Sequence, residues 1–129
     1  MRKETIPKPT EAELEILGIL WEHGPSTVRY VNDKLNEKKN VGYTTTLKMM
    51  QIMYEKKILK RDEKKRSHLY KTSLKEQETQ KILLKNIMEK AFGGSAMKLV
   101  MQALGSHKAS KQEIYQIREL LDKIERGEK

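Results

Sequence analysis

Gly42-Tyr43-Thr44-Thr45-Thr46-Leu47-Lys48-Met49-Met50-Gln51-Ile52-Met53-Tyr54-Glu55-Lys56 is the stretch from which the rest of the chain is read. Turned at about 100° per residue as a helix from Tyr43 to Lys56, it presents two unlike faces. Thr46, Leu47, Met49, Met50, Met53 and Tyr54 share one, an apolar face whose methionines fill core space. Thr44, Thr45, Lys48, Gln51, Ile52 and Glu55 share the other. This second face lacks the usual mix of long charged side chains; it offers short hydroxyls, an amide and one lysine. Such groups can come close to base edges. Threonine bonds either partner of a base pair and places its methyl against that of thymine, while lysine reaches a guanine edge or a phosphate.

Two helices precede this one. Thr10-Glu11-Ala12-Glu13 has the capping-box pattern, and Leu14, Leu17 and Trp21 follow at helical spacing until Gly24-Pro25. Ser26 is read as the cap of a second helix with the stripe Val28, Val31, Leu35. Asn36 to Asn40 form a polar connector. Downstream, Ile58-Leu59-Lys60-Arg61 and Ser67-His68-Leu69-Tyr70-Lys71-Thr72 flank a charged turn, Asp62 to Arg66, and read as a two-stranded hairpin. Three helices and a basic hairpin are the order of a winged helix-turn-helix, with the third helix in the major groove and the hairpin on flanking backbone. Thr44, Thr45, Lys48 and Gln51 are the expected base readers. Ser26, Thr27, Tyr43, Arg61, Lys64, Lys65 and Arg66 are the expected backbone contacts.

Charge points the same way. The 129 residues carry 27 basic and 18 acidic side chains, net +9, and residues 56–71 alone hold eight basic residues against two acidic. That density is the footprint of a polyanion binder. There is no cysteine, which excludes a disulfide scaffold, a thiolate metal site and a cysteine nucleophile. The amino-terminal stretch Met1 to Pro7 has no apolar run behind its charges, and no spanning segment occurs, so a cytoplasmic protein without membrane insertion is expected.

Residues 1–73 thus read as a winged helix-turn-helix domain, and 74–129 as a second, helical domain; the whole is mainly α, an α+β chain with one small sheet. Ser73-Leu74-Lys75-Glu76 opens a long helix with Leu83, Leu84, Ile87, Met88, Ala91 and Phe92, stopped by Gly93-Gly94. Ser95 caps a short helix halted by Gly105. Ser110-Lys111-Gln112-Glu113 opens the last, with Ile114, Ile117, Leu120, Leu121 and Ile124. Only 36% of the chain is hydrophobic, and three short helices leave little room for a core of their own. A homodimer is therefore expected, formed through Phe92, Leu99, Val100, Leu104, Ile117, Leu120, Leu121 and Ile124.

Several of these stretches resemble the BlaI/MecI penicillinase-repressor family. They are Pro9 to Leu17, Leu20-Trp21-Glu22-His23-Gly24-Pro25-Ser26-Thr27-Val28-Arg29, Gly42-Tyr43-Thr44-Thr45-Thr46-Leu47 with Gln51 and Glu55-Lys56-Lys57-Ile58-Leu59, His68-Leu69-Tyr70, and Phe92-Gly93-Gly94-Ser95. The resemblance implies a homodimeric bacterial transcriptional repressor of palindromic, double-stranded operator DNA. It implies a recognition helix starting at Tyr43-Thr44-Thr45. It also implies a membrane metalloprotease receptor in the same pathway, and cleavage of the repressor near Gln102-Ala103, where the Asn-Phe pair of staphylococcal members is missing. Isoleucine 52 stands where the family commonly has arginine, which removes one expected DNA contact. With no cysteine, the chain falls outside the family's copper-responsive branch.

Other groupings carry no chemistry. His23, His68 and His107 lie in three separate elements without a ligand pair, so neither a metal nor a cofactor is expected. Trp21 reads as an anchor of the first helix against the third. Glu11, Glu13 and Glu15 sit at a helix start, where acids favour the macrodipole. No nucleophile with its base is visible, so an enzyme is not expected. A winged-helix protein–protein interaction module without specific DNA binding is the competing reading.

Overall fold

The computed structural model of the chain describes residues 8–64 and 66–128; the expectations placed on Lys65 and on residues 1–7 lie outside them. Among the described residues the elements run α1 (Glu11–His23), α2 (Val28–Leu35), α3 (Tyr43–Glu55), β1 (Leu59–Asp62), β2 (Leu69–Thr72), α4 (Glu76–Ala91), α5 (Ala96–Ser106) and α6 (Lys111–Glu125). This is a winged helix-turn-helix followed by a helical segment, mainly α with one small antiparallel sheet. Compactness divides the chain into a unit reaching Leu83 and a unit beginning at Leu84. The division falls within α4, further along than 73/74, and the buried Thr79 lies on the first unit's side of it.

The first unit has a closed core. α1 contributes Ile16, Leu17 and Leu20, α2 contributes Val28, Val31 and Leu35, and α3 contributes Met50 and Met53; Ile58, Leu59 and Tyr70 cover them from the hairpin. Each such side chain, fully buried, stabilises by about 1.5–3 kcal/mol. At the start of α1 the capping box forms in both directions, Glu13 N–H to Thr10 Oγ1 at 3.1 Å and Thr10 N–H to Glu13 Oε1 at 3.0 Å. The other carboxylate oxygen of Glu13 accepts from Lys56 Nζ at 2.8 Å, which ties the start of α1 to the end of α3. Burial pushes the Glu13 carboxyl up, but the Lys56 hydrogen bond, the Thr10 amide, the Lys56 charge and the Thr10 hydroxyl together hold it below the usual carboxylate range.

The turn between α2 and α3 is built by two asparagines. Asn32, buried, donates to the Val41 carbonyl at 3.1 Å and to Thr46 Oγ1 at 2.8 Å. Asn36 receives the Val41 amide at 3.0 Å and donates back to the Val41 carbonyl at 2.8 Å, as a paired strand would. The end of α3 turns sharply. Lys57 takes a left-handed φ of 68°, the Lys57 amide donates to Tyr54 and the Ile58 amide to Met53, and the chain is thereby directed into β1.

Several local expectations are corrected. α2 is capped by Thr27, whose hydroxyl accepts from the Tyr30 amide at 3.1 Å, and not by Ser26. Ser26 instead pairs through its backbone with Tyr70, so the hairpin gains a short third edge from the α1–α2 connection. Ser73 does not cap α4: its hydroxyl is used by the carbonyls of Lys57 and Ile58, and the helix begins later, at Glu76. Trp21 packs against the core to which α3 contributes Met50 and Met53, and it also fastens α1 to the segment after the hairpin, its indole N–H donating to the Leu74 carbonyl at 2.9 Å. In the second unit, Ser95 and Ser110 cap α5 and α6. α5 runs through Gly105 to Ser106, and the Glu113 carboxylate meets His107 at 3.0 Å instead of closing the box on Ser110. The first strand is shifted by one residue, to Leu59–Asp62, and the second is shorter than expected, at Leu69–Thr72.

Candidate nucleic-acid interface

The two faces of α3 separate as their composition requires. Thr46, Met50 and Met53 are fully buried and Leu47, Met49 and Tyr54 half-buried, while Thr44, Thr45, Lys48, Gln51, Ile52 and Glu55 are all exposed. Thr46 enters the apolar side at no penalty because Asn32 satisfies its hydroxyl. The exposed face therefore owes its orientation to a core and a polar lock on its far side. Thr44, Thr45, Lys48 and Gln51 are brought together on one open surface, and Tyr43 stands exposed at its start with the Arg29 guanidinium 5.1 Å above its ring.

Beside this surface lies a cleft of about 510 Å³ between the first turns of α2 and α3 and the returning arm of the hairpin, lined by Thr27, Arg29, Tyr43, Leu47, Arg66, His68 and Tyr70 among others. Two helix starts and two guanidinium groups make it favourable for an anion. Among the described residues Arg29, Lys48, Lys60, Lys64, Arg66 and Lys71 form no ion pair. The sheet register sets Lys60 directly opposite Lys71, both exposed. Like charges in that position destabilise a hairpin, and an anion laid against them removes the repulsion. Lys60, Lys71 and Arg29 were not singled out from the sequence; the register and the cleft bring them in, although the charge of residues 56–71 already contained the two lysines.

Two of the expected backbone contacts already have partners within the domain. Ser26 is buried, its hydroxyl donates to the Gly24 carbonyl at 2.9 Å and lies 2.9 Å from His23 Nδ1, and its amide donates to Tyr70. Arg61 is engaged inside the domain. Its guanidinium lies 4.1 Å from the Tyr54 ring centroid and 5.9 Å from that of Tyr70, and its Nε donates to Glu63 Oε2 at 2.6 Å. Hydrogen bonds to Tyr70 and Glu63 raise its pKa above an already high ordinary value. Arginine 61 is a bracket between α3 and the sheet, a role that a reading by charge alone cannot tell from a phosphate contact. Thr27, Tyr43, Lys64 and Arg66 remain at the surface or in the cleft.

The second unit differs from the first in kind. None of the described residues after Thr79 is buried. Phe92, Leu99 and Ile117 are half-buried, and Val100, Leu104, Leu120, Leu121 and Ile124 are exposed, as are Leu84, Ile87, Met97 and Met101. Gln102 and Ala103 lie within α5 and are also exposed. No helix among the described residues is long and apolar enough to cross a membrane, and no cluster of three metal-ligating side chains occurs among them.

A model of the penicillinase repressor family matches residues 9–123. A penicillinase repressor of Staphylococcus aureus is similar to this chain, 23% identical over 113 residues that make up 88% of this chain and 90% of the relative.

Proposed function

The chain belongs to the penicillinase repressor family, a family of transcriptional repressors, and we propose that it represses by binding duplex operator DNA as a homodimer. One observation carries the reading: the outer face of α3 is a free surface of hydroxyls, an amide and a lysine, held from behind by a packed core. In the proposed complex Thr44, Thr45, Lys48 and Gln51 face base edges in the major groove. Thr27, Tyr43, Lys64, Lys65 and Arg66 meet phosphates, joined by Arg29, Lys60 and Lys71.

The second unit supports the dimer. Ordering a residue costs about 1–2 kcal/mol of backbone entropy, and helices without a fully buried residue offset little of it. Covering the apolar residues of α5 and α6 with those of a second copy supplies the missing burial and yields two-fold symmetry. Two copies of α3 then meet successive major grooves of a palindrome. Cleavage at Gln102-Ala103, if the family's induction route operates, requires α5 to open locally first, because a helical backbone does not fit a protease cleft.

Selection of bound duplexes from a randomised library tests the reading, followed by salt titration. The expected product is a palindrome whose affinity falls steeply with salt, with Arg66→Ala lowering the logarithmic slope by about one unit for all sequences alike. Thr45→Ala should instead change discrimination between duplexes by about 1–3 kcal/mol. A salt-insensitive protein that enriches no duplex overturns it and favours a protein-docking module.

A further inference from the structure

We propose that Ile52 is a specificity-determining residue that seats its branched side chain against the 5-methyl group of a thymine; the inference rests on the reading of the α3 surface given above. Ile52 is 42% exposed and stands on the polar side of α3, pointing away from the core that Met50 and Met53 complete. It covers no gap in the fold: the described hydrophobics that pack against the core do not include it. An exposed β-branched residue is also a weak choice for helix stability, so neither packing nor propensity accounts for it.

Its position on the helix accounts for it better. Ile52 follows Lys48 by four residues and Thr45 by seven, so all three lie on one stripe. Between Thr45 and Ile52 the helix rises about 10 Å, roughly three base-pair steps along the groove. The next exposed residue of the stripe, Glu55, is acidic and marks where the surface leaves the polyanion. An isoleucine can neither donate nor accept a hydrogen bond, so laid against guanine or cytosine it leaves polar edges unpaired. The major-groove edge offers it one apolar partner, the thymine methyl. In a helix the Ile side chain holds one dominant χ1 rotamer, so little freedom is lost when the contact forms.

The test uses the full chain and the duplex recovered from the randomised library, with each thymine replaced in turn by uracil, which deletes the methyl and nothing else. At one symmetric pair of positions the wild-type affinity should fall about fourfold per methyl, the factor expected for one buried carbon. Ile52→Ala should bind thymine and uracil duplexes equally at those positions with its melting temperature unchanged or slightly raised, and Ile52→Val should keep part of the difference. If the protein selects a duplex but no uracil substitution weakens it, or the thymine preference survives in Ile52→Ala, the inference alone is overturned. A protein that selects no duplex overturns the parent reading as well.

Discussion

Glu13 serves two structural tasks with one carboxylate, and the two can be separated by pH. One oxygen closes the capping box on Thr10 and the other receives Lys56 across the domain. Its pKa is lowered in the fold, so the charged form is the one that folding favours. The stabilisation is complete above the ordinary glutamate range and is lost as pH falls below that range through the lowered folded value. Glu13→Gln retains an acceptor for Thr10 but not the charge. It should cost about 1 kcal/mol at neutral pH, discounted for the half-exposed Lys56. Melting curves of both proteins against pH should converge in acid; a constant gap would mean that the Lys56 pairing contributes nothing. At this scale the sequence is legible where the partner is local, as between Thr10 and Glu13. It is opaque where the partner is distant: Lys56 lies 43 residues from Glu13, and only the fold brings Arg61 to Tyr54 rather than to solvent.

The helix-turn-helix elements could be read closely from the chain. The division of α3 into Thr46, Met50 and Met53 against Thr45, Lys48 and Gln51 follows from spacing alone, because a helix turns by a fixed angle per residue. Caps were harder. Ser26 and Thr27 are adjacent and chemically equivalent as caps, and what decides between them is the pairing of Ser26 with Tyr70, a contact of 44 residues' separation. Strand register was not readable either, and with it the Lys60–Lys71 juxtaposition was missed. That pair yields a prediction at the scale of the hairpin. Lys71→Thr relieves the repulsion and adds a residue suited to a strand, so the protein should gain about 0.5 kcal/mol in urea unfolding. The same variant should bind duplex DNA more weakly with a shallower salt dependence. Loss of stability on this substitution would show that the two ammonium groups are not a burden in the free protein.

Across the whole molecule the two units divide the labour by what they bury. The unit reaching Leu83 closes its own core, and the described part of the unit from Leu84 has no fully buried residue. The apolar stripes of α5 and α6 were plain in the sequence, but the same stripes would fit a small self-contained bundle. The exposure of Leu120, Leu121 and Ile124 is what favours a second copy. Leu120→Glu places a charge on that surface and should give a monomer by sedimentation velocity while the core of the first unit keeps its stability. Its DNA affinity should fall by two to four orders of magnitude, roughly the gain from linking two half-sites. An unchanged sedimentation coefficient would remove these helices from the interface.

Occupation of the major groove by the outer face of α3 can be read from dimethyl sulfate footprinting of the selected duplex. The reagent methylates guanine N7 in the major groove and adenine N3 in the minor groove, so one experiment reports on both. Wild-type protein at saturation should shield guanine N7 in two clusters about one helical turn or a small multiple apart, and Lys48→Ala should restore reactivity within both clusters. Shielding confined to adenine N3, or guanine N7 left fully reactive under saturating protein, would place α3 outside the major groove.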